Sequence, residues 1–278
     1  MLKIKNPDRC FAKWTLSCRA ARFEITSGHS IKSGAEKMKR RSVFPGFALL
    51  VLGLVLTAEA QVPSNVSIQS YDVGGRSVRI PSPEGFTEVL SRFKRFSQRF
   101  TGTESPQLEM LAVHIPDELI PVIAKRLDPD LDLFTKVSVS TSAKAIDMTP
   151  ETFAAVATTL EKNFDKYLEP NGTVMAEMNK NADKGLDRYW KQETGTNISE
   201  PKTLGFFQKQ PDLFSAMMMS HLEVLGQKRT MLSSISLLDI NRRLVFVYAY
   251  KVFKSEGDLA ALRDFTNKWT ASILAANR

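Results

Sequence analysis

The tetrapeptide Ser91-Arg92-Phe93-Lys94 sets a hydroxyl three residues ahead of an amine. At that spacing a lysine can lower the cost of deprotonating the serine, which is the start of acyl-enzyme chemistry in exported serine hydrolases. The companion motifs of that chemistry are missing, because there is no Ser-Asp-Asn run and Lys202-Thr203 is followed by Leu204 rather than glycine. On an amphipathic helix, Lys94 reads as a solvated charge. A second arrangement lies in MMMSHLE. If that segment is a strand, Met217, Met219 and His221 project from one face, and thioether with imidazole suits copper. The competing reading makes the methionines flexible core fillers and the histidine a hydrogen-bonded bystander. A third, RFKRFSQRF, sets Arg92, Arg95 and Arg99 beside a Phe93–Phe96–Phe100 stripe. It could lie on anionic lipid or an acidic partner, or simply be a core helix with basic residues at its edge. DPDLD (128–132) has alternating carboxylates but lacks the glycine and closing glutamate of a calcium loop, so it reads as a turn. H-E-x-x-H, G-x-S-x-G and glycine-rich phosphate loops are all missing. No catalytic residue, metal ligand or cofactor is assigned.

The elements that would carry these groups follow from periodicity. Gly74-Gly75 between Tyr71–Val73 and Ser77–Ile80 predicts a hairpin, with Pro81 and Pro83 closing its second strand. Phe86, Val89, Leu90, Phe93, Phe96 and Phe100 fall at helical spacing and predict a helix over 86–100. LEMLAVHIP and LFTKVSVSTS read as strands. Thr149 before Pro150 and Glu151 predicts a helix start, with a Phe153, Val156, Leu160, Phe164, Leu168 stripe. A more polar helix is expected over 173–193. Strands follow at about 203–209, 214–224 and 229–239, then a turn at Asn241-Arg242 and a strand over 243–253. That last strand is apolar on both faces, which predicts a central position with cover on each side. Leu259, Leu262, Phe265, Trp269 and Ile273 predict a closing helix over 256–276. With no glycine-, serine- or proline-rich break, residues 71–278 read as one α+β domain: an antiparallel sheet flanked by helices.

The segment before that domain has a different character. From Met38, the basic Lys39, Arg40 and Arg41 are followed by an apolar run from Val43 to Leu56, then Ala58 and Ala60 at an A-x-A site. This predicts a signal peptide over 38–60, cut between Ala60 and Gln61, with 61–70 a polar lead-in. The apolar run is short for a bilayer span of about 20 residues. Residues 1–37 show no sustained period and read as an upstream segment outside the domain, disordered or ahead of the true start at Met38. They hold both cysteines, Cys10 and Cys18, with His29 as the one further soft ligand nearby.

Removing 1–60 changes the charge argument. The chain carries 38 basic and 30 acidic residues, but eleven basic and four acidic ones lie in 1–60, leaving 27 against 26. So near-neutral a domain lacks the field for binding by phosphate neutralisation, which disfavours nucleic acid. Without cysteines, a domain of this length relies on its core, as about 70% of its unfolded surface can be buried. An exported domain free of disulfides points to a bacterial periplasm, or to secretion. There the N-x-S/T matches at Asn65, Asn171 and Asn197 carry no glycan.

GGRSVRIPSPEGFTEV (74–89) and LLDINRRLVFVYAYKVFKSEGDLAALRDFTNKWTASILAAN (237–277) resemble exported bacterial proteins of the Mog1/PsbP-like α/β/α sandwich type. The resemblance covers the two ends of the domain. It implies an antiparallel sheet entered after a Pro-Gly-Phe corner and closed by a C-terminal helix, and a non-catalytic, accessory or binding role. The expected function is therefore an exported binding or accessory protein acting on a protein or small ligand, with membrane contact only through the signal peptide. The alternatives are a periplasmic hydrolase using Ser91 and Lys94, and a protein interacting with copper or anionic membranes.

Overall fold

The computed structural model describes residues 67–170 and 172–278. The upstream segment, the signal peptide with Ala58, Ala60 and Gln61, and Asn65 and Asn171 lie outside the described residues. The chain is an α+β sandwich. Strands β1 (Ile68–Val73) and β2 (Arg76–Pro81) form a separate hairpin, and a seven-stranded antiparallel sheet carries the rest. That sheet comprises β3 (Phe86–Glu88), β4 (Leu108–Pro116), β5 (Leu133–Ser140), β6 (Asn197–Gln210), β7 (Leu213–Val224), β8 (Gln227–Ile240) and β9 (Arg243–Val252), in the order β3-β4-β5-β9-β8-β7-β6. The helices are α1 (Lys94–Thr101), the short α2 (Ile120–Ala124), α3 (Pro150–Tyr167), α4 (Thr173–Trp190) and α5 (Gly257–Ala276). β1 opens at Ile68, inside the segment read as a polar lead-in.

Local chemistry explains the turns. Gly74-Gly75 at the β1–β2 turn and Asn241-Arg242 at the β8–β9 turn all have positive φ, which tight two-residue hairpins require at both central positions. Leu225-Gly226 does the same between β7 and β8. The Thr149 side chain accepts the Thr152 N–H at 3.2 Å, and Pro150 opens α3 where no donor is lost.

β9 pairs with β5 on one side and β8 on the other, so it is central as its two apolar faces predict. Val245 and Val247 pack with Trp269, Ile273 and Leu274 of α5 and with Val73, Val78 and Ile80 of the hairpin. Leu244 and Phe246 face the opposite layer, where Phe153, Leu160 and Phe164 of α3 and Met175 of α4 cover the sheet. Arg243, which is buried, fastens the hairpin to this frame. Its guanidinium donates to the carbonyls of Val73 (3.0 Å) and Gly74 (2.9 Å) and pairs with Asp147.

The helix expected over 86–100 is the largest departure. Phe86–Glu88 instead form an edge strand paired with His114–Pro116, a turn follows, and the helix begins only at Lys94. Spacing within one segment cannot register a partner strand some thirty residues away. The expected strand 203–209 is also longer, running over Asn197–Gln210 with three bulges that interrupt its pairing to β7.

Candidate functional site

Ser91 lies in the turn between β3 and α1, and its hydroxyl donates to Glu88 Oε2 at 2.6 Å. Glu88 is buried and is fully engaged there. It also accepts the backbone N–H groups of Leu90 (2.6 Å) and Ser91 (3.2 Å) and the Gln69 amide (3.3 Å). The serine therefore serves a carboxylate that caps the turn. Lys94, the first residue of α1, does not share a helix with it, which corrects the placement of both on one amphipathic helix. Opposite Glu88 in the β3–β4 register stands His114. Its Nδ1 lies 3.0 Å from Thr135 Oγ1 and its ring meets Trp269 edge-on at 5.5 Å. Burial pushes its pKa down to about 3, so it is neutral near pH 7.

Met217, Met219 and His221 do share one face of β7, as the strand reading requires. Their environments differ. Met217 and Met219 pack among Leu232, Ala249 and Leu262 beneath α5. His221 is exposed, with Nδ1 3.1 Å from Thr230 Oγ1 and Nε2 3.6 Å from Glu200. The methionines fill the core, and the imidazole is held by neighbours at the rim.

The aspartates of DPDLD each tether a different element. Asp128 accepts from the Tyr189 hydroxyl and the Trp190 indole (3.2 Å) of α4, and Asp130 pairs with Arg229 of β8. Asp132 pairs with Lys251 (3.0 Å) and Lys254 (2.8 Å). Burial opposes the charge of Asp132, but these two lysines outweigh it and hold its carboxyl below the usual range. The loop is a clasp. Among the described residues no group of three or more His, Cys, Asp or Glu is arranged to hold a metal ion.

On the sheet face that carries Tyr248 and Tyr250, Lys136 and Glu104 form a largely shielded ion pair at 2.7 Å. The ammonium lies 4.6 Å from the Tyr248 ring centre, and Phe134 stacks on Tyr250 at 4.7 Å. Burial works against the lysine charge, yet Glu104 prevails and its pKa stands above the ordinary value. A lysine held protonated has no free lone pair, so this one is neither a nucleophile nor a base near neutral pH.

The basic phenylalanine segment resolves into two roles. Phe96 and Phe100 are buried against Val113, Ile115, Ile123 and Leu131. The arginines reach across to the 125–130 loop, where Arg95 donates to the Arg126 carbonyl (3.3 Å) and Arg99 to that of Pro129 (3.2 Å). Arg99 also lies 5.5 Å from the Trp190 ring centre. This joint fixes the start of the loop whose DPDLD segment (128–132) the sequence reads as a turn. The Arg126 N–H donates to Ile123 (2.8 Å) and the Leu127 N–H to Val122 (3.2 Å), the paired bonds of a Schellman ending to α2. Arg126 takes the left-handed position, φ 61°, that glycine normally fills. Leu127, which in such endings usually folds back onto the helix, is 59% exposed. PVIAKRLDP supplies the apolar turn, the cations and the proline of such an ending, but nothing in it predicts that Leu127 stands exposed.

Among the described residues, no helix is long and apolar enough to cross a membrane. The sequence matches no protein-family model and no curated protein. Among solved structures, the chain is similar to the Ran-binding protein Mog1p of Saccharomyces cerevisiae, at 13% identity and a TM-score of 0.29, over 71% of this chain and 84% of that one. A mutant of protein Mog1 aligns at 13% identity and a TM-score of 0.28, over 72% and 84% of the two chains. At TM-scores below 0.5 the likeness assigns neither an activity nor a partner.

Proposed function

We propose that this chain is an exported, non-catalytic binding or accessory module, of the kind the exported bacterial sandwich proteins represent. The observation that carries this reading is the employment of the groups that could do chemistry. Ser91 is bonded to a capping carboxylate, His114 is neutral and wedged between Thr135 and Trp269, and Lys136 is kept charged by Glu104. Each of these polar side chains is spent on holding an edge strand, a sheet face or a shielded ion pair. Export rests on the basic, apolar and small-residue order from Lys39 to Ala60, and on the near balance of charge beyond it.

Two measurements test the reading. An active-serine reagent applied to the full chain should leave Ser91 unmodified. Covalent labelling that disappears in Ser91→Ala would establish the hydrolase alternative instead. Mass spectrometry of protein recovered from the producing cells should find Gln61 at the amino terminus, and a product still carrying Cys10 and Cys18 would remove the export half of the proposal.

A further inference from the structure

We propose that the tip formed by the end of α2 and the following loop docks on the anionic surface of a lipid bilayer. This rests on the binding-module reading and names its partner. Leu127 projects into solvent just past the end of α2, whose Pro121 and Ala124 are exposed as well. Lys125 and Arg126, directly before Leu127, are exposed too, and Arg95 and Arg126 are joined through the Arg126 carbonyl. Of the loop's acidic groups, Asp130 is ion-paired with Arg229, and Asp128 accepts from the neutral Tyr189 and Trp190. Asp128 keeps its charge, and Asp117 and Glu118 stand exposed just before α2, but Arg95, Arg99, Lys125, Arg126 and Arg229 outnumber these three and Asp130, so the balance at the tip is positive.

What sets the tip apart from an ordinary helix end, including that of α4, where Lys191 is also left-handed, is that the leucine that would normally cover the helix stands out in water. Arginines from α1 grip the Arg126 and Pro129 carbonyls, so the tip is held in that shape before any partner arrives. A protruding apolar residue led by two exposed cations matches the interface of an anionic bilayer, where side chains enter the acyl boundary while ammonium and guanidinium groups meet phosphates. A folded protein partner would need a complementary hollow of its own. A bilayer supplies one by deforming.

The test compares variants of the full chain, so that the apolar segment 43–56 contributes equally to each. Binding is measured to vesicles of phosphatidylglycerol with phosphatidylcholine, and of phosphatidylcholine alone. Leu127→Asn should weaken binding to the anionic vesicles by about tenfold. Arg126→Gly should weaken it by about fivefold while leaving the melting temperature unchanged or higher, because glycine suits the left-handed position. Lys268→Glu, on α5 across the sheet, should bind as the parent does. Equal binding by the parent and both tip variants would overturn the proposal. Binding to polyglutamate is measured on the same variants, and its loss in the tip variants with vesicle binding intact would overturn the proposal too, since that pattern marks an acidic polypeptide as the occupant. Either failure leaves the serine-labelling result, and with it the non-catalytic reading, standing.

Discussion

At the scale of single residues, the polar groups buried in this sandwich are defined by what they touch. His114 is the clearest case because its protonation is tied to folding. An unfolded histidine takes up a proton near pH 6.5, while the folded ring, pressed against Trp269 and Thr135, does so only at about pH 3. Between those values the unfolded chain binds the proton and the folded one does not. Protons therefore favour unfolding across that window, and stability contributed by the neutral ring is whole above about pH 6.5 and falls as pH drops toward 3. Urea unfolding at a series of pH values should show the parent losing on the order of 2 kcal/mol to this one group by pH 5. His114→Gln, which has no proton to gain, should flatten that part of the curve. An unchanged slope in the variant would mean that other groups control the acid limb.

At the scale of elements, α1 and α4 meet through glycine. A Cβ placed on Gly185 would overlap the Gly102 carbonyl and stand 2.6 Å from the Thr103 nitrogen. Replacing a mid-helix glycine with alanine ordinarily stabilises a helix by about 1 kcal/mol. Here the overlap reverses the sign, and Gly185→Ala should lower unfolding stability by about 1–3 kcal/mol. A gain in stability would show that the helices do not touch. The sequence could not reveal this contact, because Gly185 sits inside a helical pattern and its partner is eighty residues away. The same limit explains β3. Phe86, Val89 and Phe93 do follow helical spacing, but the hydrogen bonds of Phe86–Glu88 go to β4, and Glu88 turns its carboxylate on the next two backbone amides. Features with a local cause were legible: the Gly-Gly and Asn-Arg turns, the Thr149-Pro150 start, and the central strand apolar on both faces. The alternation that put Met217, Met219 and His221 on one face was also correct. What alternation cannot tell is that α5 lies over the two methionines and leaves the histidine at the rim. The α2 tip escaped notice because exposure of Leu127 depends on how its helix ends, not on any period.

For the molecule as a whole, the question is how two open sheet margins are kept from pairing with other chains. A strand edge offers unpaired N–H and C=O groups, and proteins blunt such edges in identifiable ways. Here two asparagines imitate a neighbouring strand. On β6, at the margin of the large sheet, Asn179 Oδ1 accepts the Ile198 N–H at 2.5 Å and its Nδ2 donates to the Ile198 carbonyl at 3.0 Å. On β2, Asn277 does the same for Arg79, at 2.8 and 2.6 Å, and its amide also donates to Ile273 within α5. The second clamp joins the first hairpin of the domain to its last helix, alongside the Trp269 indole donating to the Pro81 carbonyl at 2.9 Å. Closing the fold therefore requires residues nearly two hundred positions apart to meet. Asn277→Ala should cost about 1–3 kcal/mol, since it strands a backbone donor and acceptor, and should speed hydrogen exchange at the Arg79 amide before that of β8 or β9. Asn277→Asp keeps the acceptor for Arg79 N–H and loses only the donors, so its exchange at that amide should stay close to the parent. If both substitutions left Arg79 as protected as before, the hairpin would be held by its apolar contacts with α5, and the asparagine would be an ornament of the edge rather than its guard.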